Sequence, residues 1–88
     1  MPTAYVLINC DLESESKIIE DLKRLPEVVE VFNVLGSYDI IAKVAADSVE
    51  KFKEVIDLKI RMVKQVNATL TLITNEEESY KSSYLLTF

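Results

Sequence analysis

The residues best suited to binding chemistry form one short stretch, Leu35-Gly36-Ser37-Tyr38-Asp39, around the only glycine of the 88-residue chain. A glycine leaves the neighbouring backbone N–H groups accessible, and here they stand beside a carboxylate and a phenol hydroxyl. N–H groups can hold an anion and a carboxylate can hold a cation, so this stretch could bind both ends of a zwitterion. The plainer interpretation is that Gly36 turns the chain and Asp39 accepts a local N–H bond.

The composition offers little for catalysis or for metal binding. The chain has no histidine, so the usual proton carrier near neutral pH is missing, and its single cysteine, Cys10, has no imidazole to activate it. One glycine cannot form a phosphate-binding loop. The carboxylates of Glu13 and Glu15 favour the start of a helix, where they interact with its dipole. We therefore expect that the protein is not an enzyme, and that it has no catalytic residue, no cofactor and no bound metal.

The charge balance opposes direct contact with nucleic acid. The net charge is −5, from 15 acidic and 10 basic residues, and the basic residues are scattered among acids instead of forming a patch. The sequence contains neither an apolar run long enough to span a membrane nor a signal peptide. We expect a cytoplasmic chain that binds neither DNA by itself nor a membrane.

Strand-like runs flank Gly36 on both sides and predict a hairpin. Residues 28–35 and 38–45 alternate at strand period, and a two-residue type II′ turn with Gly36 first would join them. Residues 3–9 predict an earlier, central strand. Residues 66–73 predict a last strand in which Thr69 and Thr71 share one face and the leucines share the other.

Helical patterns fill the gaps between these strands. The first helix should begin within residues 11–16 and end before Pro26. The second should run from Ser48 to about Lys59, with Asp47 as its N-cap and Glu50 completing a capping box.

The resulting βαββαβ order predicts an α+β, ferredoxin-like sandwich: a four-stranded antiparallel sheet with two helices on one face, within residues 1–74. The first three strands are apolar on both faces, so the helix-free face should be covered by a second copy, as a homodimer packing sheet against sheet. Residues 75–88 form a C-terminal tail. Its end, residues 84–88, has a strand-like composition that could pair with a sheet edge, and a frayed terminus is the alternative.

The hairpin resembles a known family. Residues 34–44 resemble the Gly-x-Tyr-Asp hairpin of the C-terminal effector (RAM) domain of the Lrp/AsnC, or feast/famine, transcriptional regulators. Residues 25–28 are similar to the family's Leu-Pro-x-Val step, and residues 67–73 resemble its Thr-rich last strand. Two features depart from the family. This sequence starts directly on the first strand, where the family usually carries a helix-turn-helix ahead of the domain, so we do not expect DNA binding to transfer to this chain. In addition, Arg61-Met62-Val63 stands where a Pro-Gly-Val-like step is normal.

The resemblance implies a stand-alone RAM domain, an amino-acid-sensing effector that dimerises through its sheet, joins dimers into rings and binds a small amino acid between dimers. The ligand's carboxylate would meet N–H groups around Gly36 and Ser37, and its ammonium would meet Asp39. The implied ligand-binding set is Leu35, Gly36, Ser37, Tyr38, Asp39, Thr69 and Thr71. Full-length regulators of the family are the implied protein partners.

Three other functions stay open at this point. An ACT-like regulatory module shares the element order, but it typically has a glycine after the first strand, and residues 9–16 contain none. A dimeric α+β barrel enzyme is disfavoured by the lack of histidine. A purely structural oligomerisation module is the third, and amino-acid titration would separate it from a sensor.

Overall fold

The computed structural model describes residues 3–74, which form one four-stranded sheet and two helices. The strands are β1 (Thr3–Cys10), β2 (Val28–Asn33), β3 (Ile40–Ala45) and β4 (Val66–Thr74), and the helices are α1 (Glu15–Lys23) and α2 (Val49–Val55). The strand order is β2-β3-β1-β4, with every neighbouring pair antiparallel. The predicted ferredoxin-like sandwich is confirmed. The strand suggested for residues 75–88 lies outside the described residues.

The central strand β1 supplies one face to the core and the other to the helix-free side. Its even-numbered residues are buried and its odd-numbered residues are half-buried. The buried set packs with alternate residues of β3 and with apolar side chains of both helices, among them Ile18, Leu22, Phe52 and Val55. Within residues 3–74, no helix is long and apolar enough to cross a membrane.

The second helix differs from its prediction at both ends. Ser48 is the N-cap, because its hydroxyl accepts the Lys51 N–H at 3.2 Å, so the prediction of Asp47 as the cap is wrong. After α2 the chain continues as a π-helical turn, Ile56–Ile60. The Arg61 N–H donates to the Ile56 carbonyl at 2.9 Å, five residues back. This wider turn still buries Ile56 and Ile60 in the core.

Glu27 connects the loop between α1 and β2 to α2 and to the π-helical turn that follows it. Lys59 Nζ lies 3.2 and 3.3 Å from its two carboxylate oxygens, and Lys51 Nζ lies 4.0 Å from one of them. The Glu27 side chain is only 16% exposed. A hydrogen bond from its own backbone N–H, and then the lysines, hold the pKa of the Glu27 carboxyl below its ordinary value, against the opposing effect of burial.

The helix-free face consists of rows that cross the sheet. In one row, strand register aligns four apolar side chains, Leu70, Leu7, Ile41 and Phe32. All four are half-buried or exposed. The next row contains Leu72, Tyr5, Lys43 and Glu30. We call these the apolar row and the charged row.

Replacing Glu27 by Gln should destabilise the protein at neutral pH and not in acid. A carboxyl whose pKa is lowered by folding stabilises the fold fully above its unfolded pKa of about 4.3. This stabilisation is lost as the pH falls through the lower folded-state pKa. We expect Glu27→Gln to reduce the free energy of unfolding by about 1 kcal/mol at neutral pH, with the difference from wild type shrinking in acid. Denaturant titrations across the acid range measure it.

Asp57→Asn is the matched control, because Asp57 lies in an exposed ion pair with Arg61 at 3.6 Å. Such pairs contribute little to stability, so this variant should follow the wild type at every pH. A difference between Glu27→Gln and wild type that stays constant into strong acid would contradict this role for Glu27.

Candidate functional site

The β2–β3 connection comprises residues 34–39, so the prediction of a two-residue type II′ turn is wrong. The Val34 N–H donates to the Asp39 carbonyl at 2.9 Å and closes the loop at its base. Asp39 also bonds to β1, because its N–H donates to the Ile8 carbonyl at 3.0 Å. With six residues between the strands, the loop is longer than a tight turn.

Gly36 lies at the exposed tip of this loop in a conformation that favours glycine. Its φ is +134°, and a Cβ placed on it would meet no atom within 4 Å. A side chain here would therefore strain the backbone without causing a clash. Leu35 beside it is fully exposed at 102%. Among residues 3–74, the N–H groups of positions 35–38 form no backbone–backbone hydrogen bond, and residues 35–37 are exposed, so the N–H groups at the tip are accessible to a ligand.

Asp39 connects the loop to the end of β1. Its Oδ2 accepts the Cys10 N–H at 2.9 Å, from a residue 29 positions away in sequence. The expected N–H bond to Asp39 thus exists, but it is long-range and not local. A carboxylate accepts more than one donor, and within residues 3–74 its Oδ1 has no hydrogen-bond partner. The side chain is half-buried, as is Tyr38, while Ser37 is exposed.

The surroundings of Asp39 are acidic. Asp11 and Glu15 follow the end of β1, where they accept side-chain amide bonds from Asn67 at 3.4 Å and from Asn33 at 2.7 Å. Burial, and then Asp39, Glu15 and Asp11, raise the pKa of the Cys10 thiol. A thiol held protonated is a poor nucleophile. Among the described residues, no group of three or more acidic or cysteine side chains could hold a metal ion.

The two threonines of the predicted site lie elsewhere in the same chain. Thr69 pairs with Ile8 and Thr71 with Val6, so both point to the helix-covered face of β4. Ile40 lies on the other side of β1, about 9.5 Å across the sheet at the usual strand spacing. The structure therefore brings together residues 35–39, and it does not bring Thr69 and Thr71 to them within one chain.

Sequence patterns did not predict the hydrogen bonds formed at the hairpin and beside it. Cys10 contributes its backbone N–H, which has no signature in sequence. Asn33 and Glu15 are 18 positions apart, and Asn67 and Asp11 are 56 positions apart, so no local spacing connects them. The only signal in the sequence was that both acids come shortly after β1, at the end of the sheet where the β2–β3 hairpin folds back.

Several known proteins are similar to this chain. A protein of Pyrococcus furiosus, described as an uncharacterized HTH-type transcriptional regulator, is 35% identical over 75 residues, which are 82% of this chain and 50% of that protein. The chain thus spans about half the length of the named regulators that it matches. A crystal structure from Thermus thermophilus is 35% identical, with a TM-score of 0.80 over 84% of this chain and 92% of that one.

A more distant structure shares the fold alone. It is a transcriptional regulator of Neisseria meningitidis in complex with L-Met, 14% identical, with a TM-score of 0.78 over 97% of this chain and 59% of that one. The family model described as the Lrp/AsnC ligand binding domain matches residues 3–84. The predicted resemblance is confirmed, and the related proteins are regulators and not enzymes. The chain belongs to the Lrp/AsnC ligand-binding domain family of transcription regulators.

Proposed function

We propose that this chain is an amino-acid-sensing effector and oligomerisation domain that binds a small amino acid at residues 35–39, between dimers. The supporting observation is the pairing of accessible N–H groups at the Gly36 tip with the Asp39 carboxylate at its base. The L-Met complex of the Neisseria regulator, which shares the fold, makes a free amino acid the first ligand class to test.

The local charges determine how the ligand would lie. The acidic surroundings of Asp39 repel a carboxylate and attract an ammonium, so the ammonium bonds to Oδ1 while Oδ2 keeps the Cys10 N–H. The carboxylate then lies at the outer part of the loop, on the N–H groups of Gly36 and Ser37. Leu35 and Tyr38 contribute side chains to the walls. Thr69 and Thr71 are too far away within one chain, so in this proposal they would contact the ligand from a neighbouring subunit.

The apolar row supports the second part of the proposal, a homodimer formed through the helix-free face. Phe32 is 44% exposed and Leu70 is 37% exposed at its two ends. A continuous apolar row across four strands costs free energy in water, and a second sheet would cover it. Dimers would then associate into rings, with the hairpins between them, and full-length regulators of the family would be mixed partners.

One observation favours a different function, a purely structural module. Asp39 already accepts a hydrogen bond from Cys10, and this bond alone would explain why an acid stands there. Titration with amino acids separates the two functions, because a structural module would give no heat.

Asp39→Asn should weaken ligand binding while it preserves the fold. The amide oxygen can still accept the Cys10 N–H, but the neutral side chain no longer attracts an ammonium. We expect a loss of about 1.5 to 3 kcal/mol of ligand affinity, as for hydrogen bonds to charged groups, measured by calorimetry with the common amino acids. Asp39→Ala should also lower stability by about 1 kcal/mol, because Cys10 loses its acceptor.

Asp57→Asn, a remote exposed carboxylate, is the control and should bind as wild type does. The sensor function at this site is wrong if the wild type shows no heat with any common amino acid, or if Asp39→Asn binds equally well.

Leu7→Lys should separate the proposed dimer, because it places a charge at the centre of the apolar row. The wild type should sediment as at least twice its 10.0 kDa mass at micromolar concentration. The control is Leu58→Lys, at a 68% exposed leucine of the π-helical turn, and it should leave the dimer intact. A well-folded wild-type monomer would rule out this surface as an interface.

The 88-residue chain should not retain promoter DNA at moderate salt. Its net charge of −5 repels phosphates. A filter-binding or mobility-shift titration measures this, with a full-length regulator of the family as the positive control. Specific retention by the purified chain would contradict the proposal that it acts through other proteins.

A further inference from the structure

The four strands contain one pair of opposite charges. Glu30 in β2 and Lys43 in β3 are the only charged side chains in these strands. They are register partners in the charged row of the helix-free face, directly beside the apolar row. The other ion pairs of residues 3–74 lie in helices and loops. The pair therefore lies on the one face of the sheet that needs a cover.

The contact between these two side chains is weak. Lys43 Nζ and Glu30 Oε1 are 3.8 Å apart, beyond direct hydrogen-bond distance, with side-chain exposures of 33% and 53%. In water this costs nothing, because solvent satisfies the remaining donors and acceptors. Under an apolar cover, however, both charges would lose water and keep only one long contact. Desolvating a charge without compensation is expensive, so an occupant that supplies opposite charges of its own is favoured.

A second copy of this chain meets that requirement. Two-fold symmetry makes an interface self-complementary, so that if residue i of one subunit contacts residue j of the other, j contacts i as well. One Lys43–Glu30 pair facing another gives each ammonium a second carboxylate and each carboxylate a second ammonium.

We propose that Lys43 of each subunit pairs with Glu30 of the partner subunit, and that these crossed ion pairs select this chain as its own partner. This inference rests on the proposed dimer. It adds that the ion pairs determine which chain a subunit pairs with. The apolar row supplies affinity without discriminating between partners, whereas the charged row accepts a chain with the same arrangement and rejects one with reversed charges.

A charge-swap mixing experiment tests the crossed pairing. The swapped chain is Glu30→Lys with Lys43→Glu, which preserves the pair within each chain. Wild-type and swapped chains should each form homodimers. In a mixed dimer, Lys43 would face a lysine and Glu30 a glutamate, so mixed dimers should fall about tenfold below the half expected for random pairing. Because the two chains have the same mass, the swapped chain is labelled with ¹⁵N, and the refolded mixture is counted by native mass spectrometry.

The matched control is Asp57→Arg with Arg61→Asp, which swaps the charges of the exposed ion pair at the π-helical turn. It should mix randomly with wild type. High salt should weaken the discrimination between wild-type and swapped chains, because it screens the repulsion.

The outcomes separate the inference from the proposed dimer. If wild-type and swapped chains mix randomly while Leu7→Lys still gives monomers, the dimer stands and the ion pair acts only within each chain. If the wild type is monomeric, or if its dimer survives Leu7→Lys, the proposed interface is wrong, and the crossed pairing is wrong as well. Exclusion of mixed dimers, reduced by salt, supports the inference.

Discussion

The hydrogen bonding of β1 on both of its edges is the constraint on which the structure depends. β3 pairs along one edge and β4 along the other, so its inner residues fill the core and its outer residues lie in the middle of the helix-free face. At its end, Ile8 and Cys10 bond to the backbone and carboxylate of Asp39. The core, the proposed dimer surface and the hairpin thus share one strand, and a slip in its register would displace all three.

The sequence predicted the features that depend on local period and missed those that depend on distant partners. Alternation and helical spacing were sufficient for the element order and for the sandwich. The length of the hairpin was not predictable, because it depends on bonds between Asp39 and β1, 29 positions earlier. Similarly, Asp47 and Ser48 are adjacent residues that can both cap a helix, and only the path of the chain selects the serine.

The same distinction between local patterns and distant partners applies to the candidate site. Gly36 was predicted at a position of positive φ, and the structure places it there. The pattern of β4 correctly predicted that Thr69 and Thr71 share a face, because alternation is a local property. Their distance from the hairpin depends on sheet order, since β1 lies between β4 and β3. A motif can therefore list the correct residue types without showing that one chain brings them together.

The hairpin also adjoins the helix-free face along the chain. The loop begins at Val34 and ends at Asp39, each two residues from a member of the apolar row, Phe32 and Ile41. A second sheet packed on that row would hold both strands and restrict the base of the loop. A ligand bound at the tip would restrict the same strands from the other end. Because free-energy coupling between two sites is reciprocal, any increase in ligand affinity on dimerisation must appear equally as a tighter dimer when the ligand is bound.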